Sequence, residues 1–190
     1  MILQIKDIFQ KHNPLKNISK TLKKEIMRFI ISFFLAWFFT ILLNDIPWVV
    51  SKIQSSGIDK LLRNILVSST EKNLNLLGYE TFSHGKYLKI INTSGVRFEY
   101  GCLGFRHLSL FVFFILFQFG RTYHKIWYII LGILLLIGFN IIRTTIICVG
   151  QFYNEQNTTL VHDIATPVLM YPLILFLWLF WISKYGKPKK

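Results

Sequence analysis

Charged and polar residues crowd the first 26 positions, and beyond them long apolar blocks alternate with short polar interruptions. The first block, residues 27–43, stops at Asn44-Asp45-Ile46-Pro47-Trp48, where a turn signal meets an aromatic residue of the kind that settles at a membrane interface. Residues 44–101 are too mixed in charge to span a bilayer. Within them Ile58, Leu61, Leu62, Ile65 and Leu66 recur at i, i+3, i+4, i+7 and i+8, which predicts an amphipathic helix lying on the membrane surface. Partial alternation over residues 86–92 and 96–100, around Asn92-Thr93-Ser94-Gly95, predicts a β-hairpin. Three more apolar blocks follow, at residues 102–120, 126–150 and 163–183, and a basic tail at 184–190. The mostly apolar part of the second block, residues 108–120, is shorter than the about 20 residues a crossing needs. That helix is therefore expected to open near Cys102, with Cys102 and Arg106 at i and i+4 on one face. The prediction is one all-α integral membrane helical bundle of about four transmembrane helices, with a small extracytoplasmic amphipathic helix and β-hairpin.

Composition agrees with this pattern: 53% of the chain is hydrophobic and 16% aromatic. The formal net charge of +13 would suggest a nucleic-acid partner in a soluble protein. Here Lys and Arg gather at the two ends beside apolar blocks, as basic flanks that face anionic lipid and set topology, so no nucleic acid is implied. Both ends are predicted to be cytoplasmic, as is the basic loop 121–125; the loop 151–161, with one acid and no Lys or Arg, is predicted to lie outside. The first block is expected to be a retained helix, because its basic leader is long for a signal peptide and no small-x-small site follows it. Two cysteines without a CxxC pair argue against a disulfide scaffold or a metal cluster, and no cofactor is implied.

On this topology Cys102 opens the second crossing from outside, and His162 stands before the last crossing on the same side. Arg143 lies on the order of 10 Å below the outer end of the third crossing. The three share one layer. An unpaired Arg inside an apolar helix costs several kcal/mol, so Arg143 needs an anionic partner, a substrate or a route to water. The competing reading is an Arg that snorkels outward or bonds to carbonyls in the bundle. Asn140, one turn earlier on the same face, is placed to orient it. For Cys102 alone the competing reading is a small apolar filler, but a helix N-terminus and a nearby Arg both favour a thiolate nucleophile. Of the other histidines, His12 and His124 fall on the cytoplasmic side, His84 lies in the outer segment, and His107 points to a different part of its helix from Cys102. Asp163 is expected to cap the last helix or tune His162. A Cys102–Cys148 disulfide stays open as an alternative.

Cys102-Leu103-Gly104-Phe105-Arg106, then Asn140-Ile141-Ile142-Arg143, then His162 resemble, in order, the motifs of the exosortase/archaeosortase family of membrane cysteine transpeptidases. The similarity runs from about residue 76 to 181, and the chain looks like the compact exosortase-like variants of Bacteroidetes-type bacteria. The resemblance implies a cysteine protease/transpeptidase with Cys102, Arg143 and His162 as catalytic residues and Arg106 and Asn140 in support. It further implies secreted protein substrates with a C-terminal sorting signal of motif, transmembrane helix and basic cluster. Their cleavage is expected on the outer face of the cytoplasmic membrane, with transfer through a thioester. Two departures stand out: Leu103 replaces the usual Ser, and one helix precedes the hairpin where typical members have several. Two other readings compete, a membrane thiol-disulfide oxidoreductase using Cys102 and Cys148, and a non-enzymatic assembly protein with a degenerate site.

Overall fold

The computed structural model describes residues 20–154 and 158–186. It is an all-α membrane bundle with one small sheet. Helix α1 (Lys20–Asp45) is followed by the short α2 (Pro47–Ser55) and by α3 (Ile58–Leu76). Strands β1 (Thr81–His84), β2 (Tyr87–Ile90) and β3 (Val96–Arg97) come next, then a turn of 3-10 helix at Tyr100–Leu103. Helices α4 (Phe105–Phe117), α5 (Thr122–Tyr153) and α6 (Thr158–Lys184) complete the described chain. Three of these, α1, α5 and α6, carry stretches long and apolar enough to cross a membrane, and α4 is a shorter apolar helix. Their outward surfaces are apolar: Ile31, Phe34, Trp37 and Phe38 on α1 and Ile130, Leu131 and Leu134 on α5 are exposed. In water such surfaces would drive association, whereas against lipid tails they are at home.

Two cores hold the molecule. In the bundle core α4 lies against α1, α5 and α6; Phe114 stacks on Trp178 at 4.1 Å between ring centroids, and Phe111, Leu136, Met170, Ile174 and Trp181 complete the packing. The approach of α4 to α5 is close enough that a Cβ on Gly132 would fall 2.1 Å from the Phe111 ring. The second core joins α3, the sheet and the upper part of α5 through Leu62, Leu66, Leu74, Leu88, Phe98, Leu103 and Cys148. Polar ties fix it: Thr70 and Thr144 share a buried hydrogen bond of 2.7 Å, Arg63 Nε donates to the Phe98 carbonyl at 3.0 Å, and Gln151 Nε2 donates to Ser94 Oγ at 2.7 Å.

Three local expectations change. The amphipathic helix is longer than its apolar spacing suggests, and it is a packing element: Leu62, Leu66, Val67 and Leu74 turn inward while Ile58, Leu61 and Ile65 stay exposed. The hairpin exists as the short β2–β3 pair, Tyr87 opposite Arg97 and Leu88 opposite Val96. It is extended by β1, which pairs antiparallel with β2 over Thr81–His84. Third, the helix expected to open at Cys102 begins at Phe105. Gly104, at φ 83° and ψ 12°, is left-handed and separates the 3-10 turn from α4. Cys102 and Arg106 therefore do not share a helical face; Arg106 instead pairs with Asp45 at the end of α1.

Candidate active site

The turn that carries Cys102 is tied at both ends. Its Cys102 amide donates to the Glu99 carbonyl at 2.9 Å, and Leu103 is fully buried in the second core. That leaves the half-buried Cys102 on the side facing α5. There Asn140 Nδ2 donates to the Cys102 carbonyl at 3.2 Å, while Asn140 Oδ1 accepts from Arg143 Nη1 at 2.7 Å. One amide thus holds the Cys turn and the guanidinium together. Gly104 permits this approach, since a Cβ there would stand 3.2 Å from Asn140 Nδ2.

Arg143 is the hub. It is only 2% exposed, and its guanidinium is close enough to the Cys102 thiol for the two to interact electrostatically. Its Nη2 lies 3.2 Å from His162 Nε2, and His162 Nδ1 lies 3.2 Å from Asp163 Oδ1. A guanidinium can only donate, so Nε2 is the acceptor in the pair and the imidazole proton sits on Nδ1, aimed at Asp163. The polar chain reads Asp163, His162, Arg143, then Cys102 and Asn140. No carboxylate pairs with Arg143 among the described ion pairs, and its buried Nε has no acceptor among the described residues. A buried guanidinium cannot shed its proton, so it calls for a counter-anion. Among the described residues, the Cys102 thiol is the ionisable acid that interacts with it.

A matching family model covers residues 24–181, described as the transmembrane exosortase. The chain belongs to the transmembrane exosortase family. No curated protein and no solved structure matches it. The match begins well before the stretch that the motifs alone suggested, and takes in α1.

Of the residues singled out from sequence in this family member, the structure brings Cys102, Asn140, Arg143 and His162 into one connected cluster. It leaves Arg106 outside it, half exposed and paired with Asp45. His162 lies inside α6, past its first turn, and Asp163 is likewise within the helix and engages His162 where a cap was expected. Cys148 is a free thiol, 2% exposed and enclosed by the second core. The part of Asp163 was open to sequence reading, as a carboxylate directly after a candidate His. His107 was passed over; it is 8% exposed, packs against Tyr171 at 5.5 Å between centroids, and has no partner for either ring nitrogen among the described residues.

Proposed function

We propose that this chain is an exosortase-type cysteine peptidase and transpeptidase. It removes a C-terminal sorting signal from secreted proteins at the outer face of the cytoplasmic membrane and passes them to an acceptor. The observation that carries this reading is the carboxylate-free Arg143 guanidinium beside the Cys102 thiol. Cys102 Sγ, as thiolate, attacks the scissile carbonyl; Arg143 stabilises first the thiolate and then the tetrahedral oxyanion. His162 holds the proton that the thiol gives up and returns it to the departing amine as the carbon–nitrogen bond breaks and the thioester forms. An acceptor nucleophile or water then resolves the thioester and restores the thiol. Asp163 is a positioning residue, holding the imidazole through Nδ1. In the proposed topology both chain ends are cytoplasmic, and α1, α4, α5 and α6 are the crossings, with the Cys102 turn at the outer end of α4.

The rival readings draw little from the site. Redox exchange between Cys102 and Cys148 requires the second sulfur to be reachable, and Cys148 is enclosed in apolar packing. The degenerate-scaffold reading rested on Leu103 replacing a Ser, yet that side chain faces the core, where a hydroxyl would need its own partner. The test is to express Cys102→Ala, Arg143→Ala and His162→Ala chains and follow maturation of a tail-signal protein from the same genome. Loss of the nucleophile is expected to abolish maturation, a drop of at least ~10³-fold. Normal maturation with Cys102→Ala refutes the proposal.

A further inference from the structure

Helix α1 stops where it does because of Pro47. The proline ring disfavours helical backbone at the residue before it, and Ile46 is extended at φ −84° and ψ 117°. That leaves Asn44 and Asp45 as the last two residues of α1, and both reach across to α4. Asn44 Nδ2 donates to the Thr40 carbonyl of its own helix at 2.9 Å, which orients the amide, and to Ser109 Oγ at 2.9 Å. The Ser109 hydroxyl has one proton to give, and it donates to the Phe105 carbonyl at 2.7 Å. The Phe105 ring stacks on Tyr100, with 5.0 Å between centroids and 15° between planes. Tyr100 Oη then donates to Asn44 Oδ1 at 3.4 Å and closes the circuit. Asp45 adds an ion pair with Arg106.

What the circuit encloses is the Gly104 break. Tyr100 belongs to the turn that carries Cys102, Phe105 and Ser109 belong to α4, and Gly104 joins the two at φ 83°. A residue without a Cβ constrains the chain least of all, so the angle between the Cys102 turn and α4 has to be set by side chains around it. Asn140 does this from α5, through the Cys102 carbonyl. We propose that Asn44 does it from α1, as a positioning residue that ties the Cys102 turn and α4 to one amide and so keeps the thiol beside Arg143. The inference deepens the peptidase reading above and rests on it. Ordinary packing does not account for the arrangement. Phe29 against Phe114, and Phe39 against Phe113 and Phe117, hold α1 to α4 whether or not the amide is present. The Arg106–Asp45 pair is exposed, and a pair of that kind contributes little. The contact peculiar to Asn44 is with Tyr100, a residue of the reactive turn itself. Its other partner, Ser109, is buried, where water does not replace a lost hydrogen bond.

The test compares Asn44→Leu, Tyr100→Phe and the double variant in nanodiscs, with a secreted test protein ending in an apolar helix and basic cluster as substrate. Asn44→Leu is expected to lower kcat about twentyfold and Tyr100→Phe about fivefold, with KM within about twofold in each. Because the two residues act through one contact, the double variant should stay within about twofold of Asn44→Leu alone, and one that multiplies the losses to about 100-fold overturns the proposal. A native kcat in either single variant, with the loss confined to the thermal midpoint, overturns it too. Tyr100→Phe removes one oxygen, so it carries the test by itself if Asn44→Leu does not assemble. A second readout needs no substrate. Alkylation by N-ethylmaleimide, followed by mass spectrometry, reports the state of Cys102, because Cys148 is enclosed in the second core. At about pH 7 both single variants should react at least ~3-fold more slowly, since the thiolate is the reacting form and the guanidinium beside it favours that form. An equal or faster rate overturns the proposal. The peptidase reading fails separately, through normal maturation with Cys102→Ala.

Discussion

Replacing Gly104 by Ala adds one carbon, yet it strikes the site in two ways that can be measured apart. The backbone at φ 83° is left-handed, and a residue with a Cβ adopts that conformation at a cost of about 1–2 kcal/mol. The new Cβ would also stand 3.2 Å from Asn140 Nδ2, tighter than ordinary contact, so the amide must yield by a few tenths of an ångström. Asn140 is the one side chain that holds both the Cys102 carbonyl and Arg143, and it has little room to yield at 2% exposure. The strain should lower the thermal midpoint in detergent or nanodiscs by several degrees. Misplacing Arg143 relative to Cys102 should cost more, about 10–100-fold in the rate of signal cleavage, given how steeply catalysis depends on reactive geometry. Pulse-chase of precursor conversion and a melting curve on the same preparation read the two effects. A variant that melts earlier but cleaves at the native rate would show that Gly104 serves the backbone only and that the Asn140 bridge does not set the geometry.

Arg143→Lys keeps the charge but offers one ammonium where the guanidinium meets Asn140, His162 and Cys102 at once. Cleavage should fall at least ~10²-fold while the chain still assembles, as checked by gel filtration and turnover. Asp163→Asn should reduce turnover about tenfold and change the pH profile of kcat, because the carboxylate no longer selects the Nδ1-protonated imidazole; an unchanged profile would remove Asp163 from the positioning role. Outside the membrane-spanning helices, the Lys86 hydrogen bond, aided by the charges of Arg97, Lys86 and Arg63, holds the Glu99 carboxyl below the usual range. Its folded-state value is depressed, so its support is present above the ordinary carboxylate value and is lost as pH falls through the lowered one. Acidification should then lower the thermal midpoint of the native chain more than that of Glu99→Gln.

The apolar blocks were legible because lipid imposes one simple demand over some twenty residues at a time. Asn140 and Arg143 were legible as a pair for a similar reason: three residues apart in a certain helix, they must share a face. The break at Gly104 was not, because a glycine in sequence does not announce a left-handed backbone, and the Asn140 side chain packed against it comes from 36 positions away in the chain. Strand β1 escaped because four residues, Thr81-Phe82-Ser83-His84, carry too little alternation of their own and are ordered by β2. Leu103 looked like a defect in a motif when seen beside Cys102; the second core shows which way it faces. The orphaned nitrogens of His107 were invisible in sequence, since satisfaction is a property of neighbours.

Helix α4 has 13 residues, a rise of about 20 Å, against a hydrocarbon core of about 30 Å. The bilayer beside it must thin, or polar groups and water must reach down to its first turn. The Cys102 turn sits at that end, so under the proposed mechanism an acceptor in the aqueous phase would reach the thioester without entering the hydrocarbon. Membrane thickness would then be a parameter of the proposed reaction, and the same chain reconstituted in longer-chain lipids should favour retention of the thioester over its release.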